Sequence, residues 1–163
     1  MKHTITVLVE NEFGVLSRVA ALFTSRGYNI ESLSVAPTLE SDISRMTIIT
    51  EGNDQVIEQI IKQLNKLISV IKVQDVTSEN PINRVLALVK VNLGLRNTTK
   101  LRNLIRPVGG YIVHSDERCS VVQLVSEDHE ITQMIETLKP YGIMEYVSTG
   151  NLAIQKGKKV IKA

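Results

Sequence analysis

The order strand, helix, strand, strand, helix, strand occurs twice along this chain of 163 residues, and that repetition constrains its fold more than any other feature. In the first pass, residues 3–10 (HTITVLVE) alternate, with Ile5, Val7 and Val9 on one face at the period of a half-buried strand. Residues 15–26 place Val15, Leu16, Val19, Ala20, Leu22 and Phe23 at helical spacing, and Gly27 follows as a left-handed C′ residue. A second strand, 28–36, stops at Pro37, and a third runs over 43–51. Asn53 or Asp54 caps a second helix whose Val56, Ile57, Ile60, Ile61, Leu64, Leu67 and Ile68 form one apolar stripe. Residues 70–76 close the unit as a fourth strand.

After the connector TSENP (77–81), where Pro81 stops any continuation, the order repeats. A strand over 84–91 leads to a short helix, 97–106, with Leu101, Leu104 and Ile105 inward. The turn Pro107-Val108-Gly109-Gly110 precedes strands 111–115 and 119–125, paired around the turn 116–118. An Asp128-capped helix carries Ile131, Met134, Ile135 and Leu138 inward; Pro140 breaks it before a last strand, 142–148. Residue identity between the halves is slight, so the repeat is one of topology.

This order predicts the α+β class: two tandem ferredoxin-like βαββαβ domains with antiparallel sheets. Right-handed crossovers force both helices of a unit onto one sheet face. The boundaries read as 1–77, a linker 78–82, and 83–163 with a basic tail. The second face of each sheet is left uncovered or used against another unit. A unit of this size is marginal alone, and its unpaired edge strands are templates for another strand. Pairing of units, within the chain or between chains, is therefore expected.

Composition removes several classes. Hydrophobic residues at 43% and charged residues at 22% are ordinary for a globular chain. No run approaches the length of a membrane span, and the amino terminus alternates and turns acidic too early for a signal peptide. The single Cys119 forbids an intrachain disulfide and fits a reducing cytoplasm. His3, His114 and His129 lack the spacing of metal ligands. The net charge of +2 hides an asymmetry, since residues 1–80 come to −3 and residues 81–163 to +5. Much of the excess lies in the terminal KGKKVIK (156–162). With few aromatics and no basic helix, this reads as a solvated end rather than a nucleic-acid contact.

The chemistry concentrates at Gly14. A helix start is ordinarily covered by Ser, Thr, Asp or Asn; glycine leaves the first N–H groups bare. Those groups and the positive pole of the helix dipole form a ready site for a carboxylate or phosphate. Glycine also lets a ligand approach without a Cβ in the way. Asn11, three residues earlier, offers amide donors and a carbonyl acceptor. Asn29 opens the second strand at the far end of the helix, roughly 18 Å away at 1.5 Å per residue. The two asparagines cannot share a ligand within one unit, but across a dimer interface they can.

The stretch NEFGVLSRVAALFTSRGYNIESLSV resembles the ligand-binding motif of ACT domains, the amino-acid-sensing modules of βαββαβ topology. More narrowly, NEFGVLSRV, RGYNIESL, SRMTI and the second-half VGGYIVHSD are similar to the regulatory (small) subunits of acetohydroxyacid synthase, also called acetolactate synthase, over essentially the whole length. The resemblance implies valine, or leucine or isoleucine, bound between two ACT domains of a homodimer. Gly14, Val15 and Leu16 would present backbone N–H groups to the carboxylate, Asn11 would orient the polar end, and Asn29 and Ile30 of the neighbouring chain would complete the site. Val9 stands where some relatives carry a histidine, which favours an aliphatic effector. The resemblance also implies a large catalytic subunit as partner, condensing pyruvate with another 2-oxoacid in branched-chain amino acid biosynthesis. Thiamine diphosphate, Mg²⁺ and FAD are expected in that partner, and no cofactor, catalytic residue or metal ligand in this chain.

Other features read blandly. Cys119, at the start of a strand, is a small apolar residue. His114, Ser115 and Asp116 are neighbours that spacing alone does not arrange as a triad. Glu127, Asp128 and Glu130 form a helix start favoured by the dipole. Arg102 and Arg106 lie on a helix face that is either solvated or turned to the catalytic subunit. The alternative function, a free-standing amino-acid-sensing ACT regulator of transcription, would need a DNA-reading element, and no helix-turn-helix precedes the first strand.

Overall fold

The structure, a computed structural model, describes residues 1–162. It divides into two compact units: Met1–Ile82 together with the segment from Ala153 on, and Asn83–Leu152. The returning segment differs from the expected boundary, which placed it in the second domain.

The first unit holds β1 (Lys2–Glu10), α1 (Val15–Ser25), β2 (Ile30–Pro37), β3 (Ile43–Glu51), α2 (Asp54–Leu64) and β4 (Val70–Asp75). Its antiparallel sheet has the order β2-β3-β1-β4. Ile5, Val7 and Val9 of β1, with Met46 and Ile48 of β3, meet Val15, Val19 and Phe23 of α1 and Ile57, Ile60 and Leu64 of α2 in one core. The i, i+4, i+8 spacing of Val15, Val19 and Phe23 defines the buried stripe of α1. Leu16, one residue off that stripe, is 42% exposed. In α2 the cap is Asn53, whose side chain accepts from the Val56 N–H at 2.9 Å. The helix ends at Leu64, earlier than the apolar pattern suggests. Leu67 still reaches the core, whereas Ile68 lies beyond the last turn and is fully exposed.

The sheet face away from these helices is closed. Thr6, Leu8, Thr47 and Ile49, which alternate with the core positions, are all buried. The returning segment is tied to this unit: Arg45 of β3 donates to the Ala153 carbonyl at 2.8 Å, Lys159 pairs with Glu79 at 3.3 Å, and Gln155 bonds Glu79.

The second unit contains β5 (Ile82–Val91), α3 (Thr98–Ile105), β6 (Tyr111–Ser115), β7 (Ser120–Ser126), α4 (Asp128–Leu138) and β8 (Ile143–Ser148), with strand order β6-β7-β5-β8. A short strand with no periodic signal, β9 (Leu152–Ile154), follows at the start of the returning segment. Val85, Ala87, Val89 and Val91 pack under Leu101, Ile105, Ile131, Met134 and Leu138. The N-cap of α4 is Glu127 rather than Asp128, in a capping box closed by Glu130. Here the second sheet face stays open. Leu86 pairs across from Val125, Leu88 from Val147, and Gln123 from Tyr111, and Val125, Val147 and Tyr111 are exposed.

Candidate effector site

The loop from β1 to α1 is fixed by the neighbouring turn. Asn11 donates its backbone N–H to the Asp42 carbonyl at 2.7 Å and its side-chain amide to the Ser41 carbonyl at 2.9 Å. Asn11, expected to orient a ligand's polar end, ties the loop to the β2–β3 turn through its amide, and its side chain is exposed.

Gly14 is the N-cap of α1 with φ +81° and ψ −3°, in the left-handed region. A Cβ built there meets nothing within 4 Å, so glycine is required for conformation and not for want of space. The Val15 N–H reaches the Glu12 carbonyl only at 3.4 Å, and the first helical bond runs from Arg18 to the Gly14 carbonyl at 3.0 Å. Between them, the Leu16 and Ser17 N–H groups have no carbonyl four residues back inside the helix. No side chain caps this end, and its first turn carries no acid. By contrast, α2 has a side-chain cap and Asp54, and α4 has Asp128 and Glu130. The α1 pole is therefore positive and uncovered. Val15 is buried and contributes backbone alone, while Phe13 and Leu16 present apolar surface to solvent beside the pole.

Asn29 and Ile30 lie at the other end. Gly27, at φ +69°, turns the chain out of α1, and the Tyr28 N–H closes on the Phe23 carbonyl at 2.9 Å. The Asn29 carbonyl accepts from the Thr50 hydroxyl at 2.6 Å, and the residue is exposed. The 11 residues of α1 separate Asn29 from Gly14 by about 16 Å. Both β1 and β2 run antiparallel to β3, so they are parallel to each other. Asn29, before β2, consequently sits at the opposite end of the sheet from the loop after β1. One chain brings Asn11, Gly14, Val15 and Leu16 together and leaves Asn29 and Ile30 apart.

Of the neighbours His114, Ser115 and Asp116, the last two are engaged in local structure. The Ser115 hydroxyl pairs with Ser120 at 2.7 Å. Asp116 accepts from the backbone N–H groups of Cys119 and Arg118 at 2.8 and 2.7 Å, which holds its carboxyl below the usual range. Cys119 is only partly buried and just precedes β7, and burial followed by the Asp116 contact pushes its thiol up, away from nucleophilic character.

Two buried or half-buried polar groups lie outside the candidate site. His3, 4% exposed, shares Nδ1 with Asp75 at 2.9 Å. Arg45 is half-buried on β3, and burial lowers its pKa. An arginine inside an otherwise apolar, alternating strand was the available signal.

Comparison with known proteins gives a consistent family. Residues 5–72 match the family described as "AHAS small subunit-like ACT domain", and residues 84–157 match "Small subunit of acetolactate synthase". The probable acetolactate synthase small subunit of Archaeoglobus fulgidus is 43% identical over 159 residues, covering 98% of this chain and 99% of that one. The small subunit of Bacillus subtilis is also 43% identical, over 96% of this chain and 92% of its own length. The crystal structure of the acetolactate synthase small subunit from Thermotoga maritima superposes with a TM-score of 0.89 at 30% identity, covering 98% and 99% of the two chains.

Proposed function

The chain belongs to the acetolactate synthase small subunits, and from that membership we propose that it is the non-catalytic, valine-sensing subunit that activates and restrains a thiamine-diphosphate-dependent catalytic partner. The observation that carries the sensing role is the start of α1: a left-handed Gly14, no side-chain cap and no acid in the first turn. An effector carboxylate is the natural complement of that pole.

The topology supports a site shared by two copies. β2 is an edge strand of its sheet. If two copies pair antiparallel along β2, the twofold axis reverses the partner's strand. Its Asn29 and Ile30 then arrive at the Gly14 end, where one chain alone lacks them. Phe13 and Leu16 supply apolar surface for an aliphatic side chain. Charge-assisted bonds contribute about 1.5–3 kcal/mol each and burial of a valine side chain about 1.5–3 kcal/mol. After the costs of association, a Kd between about 1 μM and 1 mM is reasonable, the range of a metabolite sensor. On this reading the thiamine diphosphate, Mg²⁺ and FAD of the holoenzyme sit in the large subunit, and the open apolar face of the second unit supports a role in meeting it.

The test is co-purification with the catalytic subunit, followed by acetolactate formation with and without valine, leucine and isoleucine. The catalytic subunit should gain activity from this chain and lose it to valine. Pyruvate turnover by this chain alone, or a catalytic subunit indifferent to it, would refute the assignment.

A further inference from the structure

The first unit holds a second feature that the effector site does not use. A cleft of about 430 Å³ lies between the β2–β3 turn and the returning carboxy-terminal segment. Leu8, Leu39, Ile43 and Ile161 give it apolar walls, and Arg45, Lys162 and Glu40 line it with charge. Volumes of this order suit small ligands.

Arg45 is the informative group. It is half-buried, and its side chain is seen to bond only the Ala153 carbonyl, which takes one of five guanidinium donors. Among the described residues no carboxylate lies within ion-pair distance of it. A desolvated guanidinium with free donors in a fixed plane matches a carboxylate in both charge and shape. Across β3 it faces Leu8 on one side and Ala36 on the other, so the protein supplies apolar neighbours and no counter-ion. Lys162, exposed beside Ile161, adds a second cation, while Glu40 disfavours a dianion.

We propose that this cleft is a second ligand site, taking a small monocarboxylate with a branched aliphatic body whose anionic head meets Arg45. The shared chemistry is carried by an α-amino acid, whose ammonium Glu40 would receive, and by the corresponding simple acid. The site is also wired to the effector loop. The cleft is lined by Thr38, Leu39 and Glu40, and the same turn continues through Ser41 and Asp42, whose carbonyls hold Asn11. An occupant that shifts the turn therefore acts on the loop that positions Gly14.

The experiment uses the full chain carrying Gly14→Asp, which removes the effector site proposed above, and titrates 3-methylbutanoate and, separately, L-valine by calorimetry. Saturable binding of at least one should persist in Gly14→Asp and weaken tenfold or more when Arg45→Gln is added. Should Arg45→Gln fail to fold, Lys162→Glu at the exposed rim serves instead, with a loss of about threefold or more. If valine alone binds, Glu40→Gln should weaken it; if both bind equally, Glu40→Gln should leave them unchanged. No saturable binding of either acid up to about 10 mM, or binding indifferent to Arg45 and Lys162, overturns the proposal. Because Gly14 is already disabled, that outcome is independent of the effector reading.

Discussion

Gly14→Asp separates the electrostatic account of the effector site from a purely structural one. On the fold side, a residue other than glycine at φ +81° costs about 1–2 kcal/mol. Asp is among the residues that tolerate this region, and a negative charge at a helix amino terminus returns about 0.3–1 kcal/mol. The net loss of about 1 kcal/mol corresponds to a melting temperature lower by about 2–4 °C in a chain of this size. On the binding side, the new carboxylate lies beside the Leu16 and Ser17 N–H groups. Two charge-assisted bonds at about 1.5–3 kcal/mol each are forfeited, and repulsion between like charges adds to the loss. Valine affinity should therefore fall at least about 100-fold, some 2.7 kcal/mol. Gly14→Ala is the control, since it carries a similar strain, no charge, and a Cβ in open space; its loss should stay below about tenfold. Isothermal titration with L-valine on the three proteins reads both numbers. Affinity within about threefold of wild type in a folded Gly14→Asp protein would refute the site, and equal losses in the Ala and Asp variants would refute the role of charge.

Asn29→Ala, at an exposed side chain, should weaken valine binding about fivefold or more with no change in melting temperature; unchanged affinity would argue against a site completed by a second chain. Gly94→Ala would bring a Cβ to 2.1 Å from the Glu117 carbonyl oxygen, a backbone atom with no room to yield. About 3 kcal/mol of destabilisation is expected, visible as a drop of about 6–12 °C in thermal melts. Removing the chain from Ala153 on leaves the half-buried Arg45 without its carbonyl and Glu79 without Gln155 and Lys159; urea titration should show a loss of about 2 kcal/mol. In acid, Glu130 is the group to follow: its bond from Ser126, then that from the Glu127 N–H, holds its carboxyl below the ordinary 4.5. A depressed folded value gives stability that is present above pH 4.5 and lost as pH falls through the folded value. Glu130→Gln should therefore lower the melting temperature at pH 7 and make its decline below pH 4.5 shallower.

Most of the fold was legible because its determinants are local. Ile5, Val7 and Val9 of β1 and Val15, Val19 and Phe23 of α1 are buried as their periods say, whereas Thr6 and Leu8 are buried against the half-buried pattern and Leu16 is exposed. The uncovered start of α1 was legible for the same reason, since capping involves residues within one turn. What escaped depends on distant partners. Nothing near Asn11 announces that its amide is taken by Ser41, 30 residues on. Arg45 finds its acceptor 108 residues later in Ala153, a partner that no local pattern announces. The apolar stripe of α2 ran past its true end because Leu67 packs on the core from outside the helix, so hydrophobicity outlasted helical geometry. β9 is three residues long, too short for any period to register.

The separation of Gly14 and Asn29 gives the proposed mechanism its logic. Were both on one face of one unit, a ligand could saturate each chain without consulting another. Because α1 holds them at opposite ends, the proposed site is complete only where two chains meet with strands reversed. A ligand that binds only the assembled form stabilises it by RT ln(1 + [L]/Kd) per site, about 2.7 kcal/mol at 100 times Kd. A twofold pair contains two equivalent sites, so the effect on dimer stability approaches twice that value when both fill. Sensing and assembly are then one equilibrium, and a catalytic partner that distinguishes the tightened seam from the loose one needs a coupling of only about 1–3 kcal/mol to be switched. On that proposal, the bare glycine at the helix start leaves the pole without a side-chain cap for the effector to meet. A serine or aspartate cap at that position would satisfy the same N–H groups from within, stabilise the single chain, and silence the link.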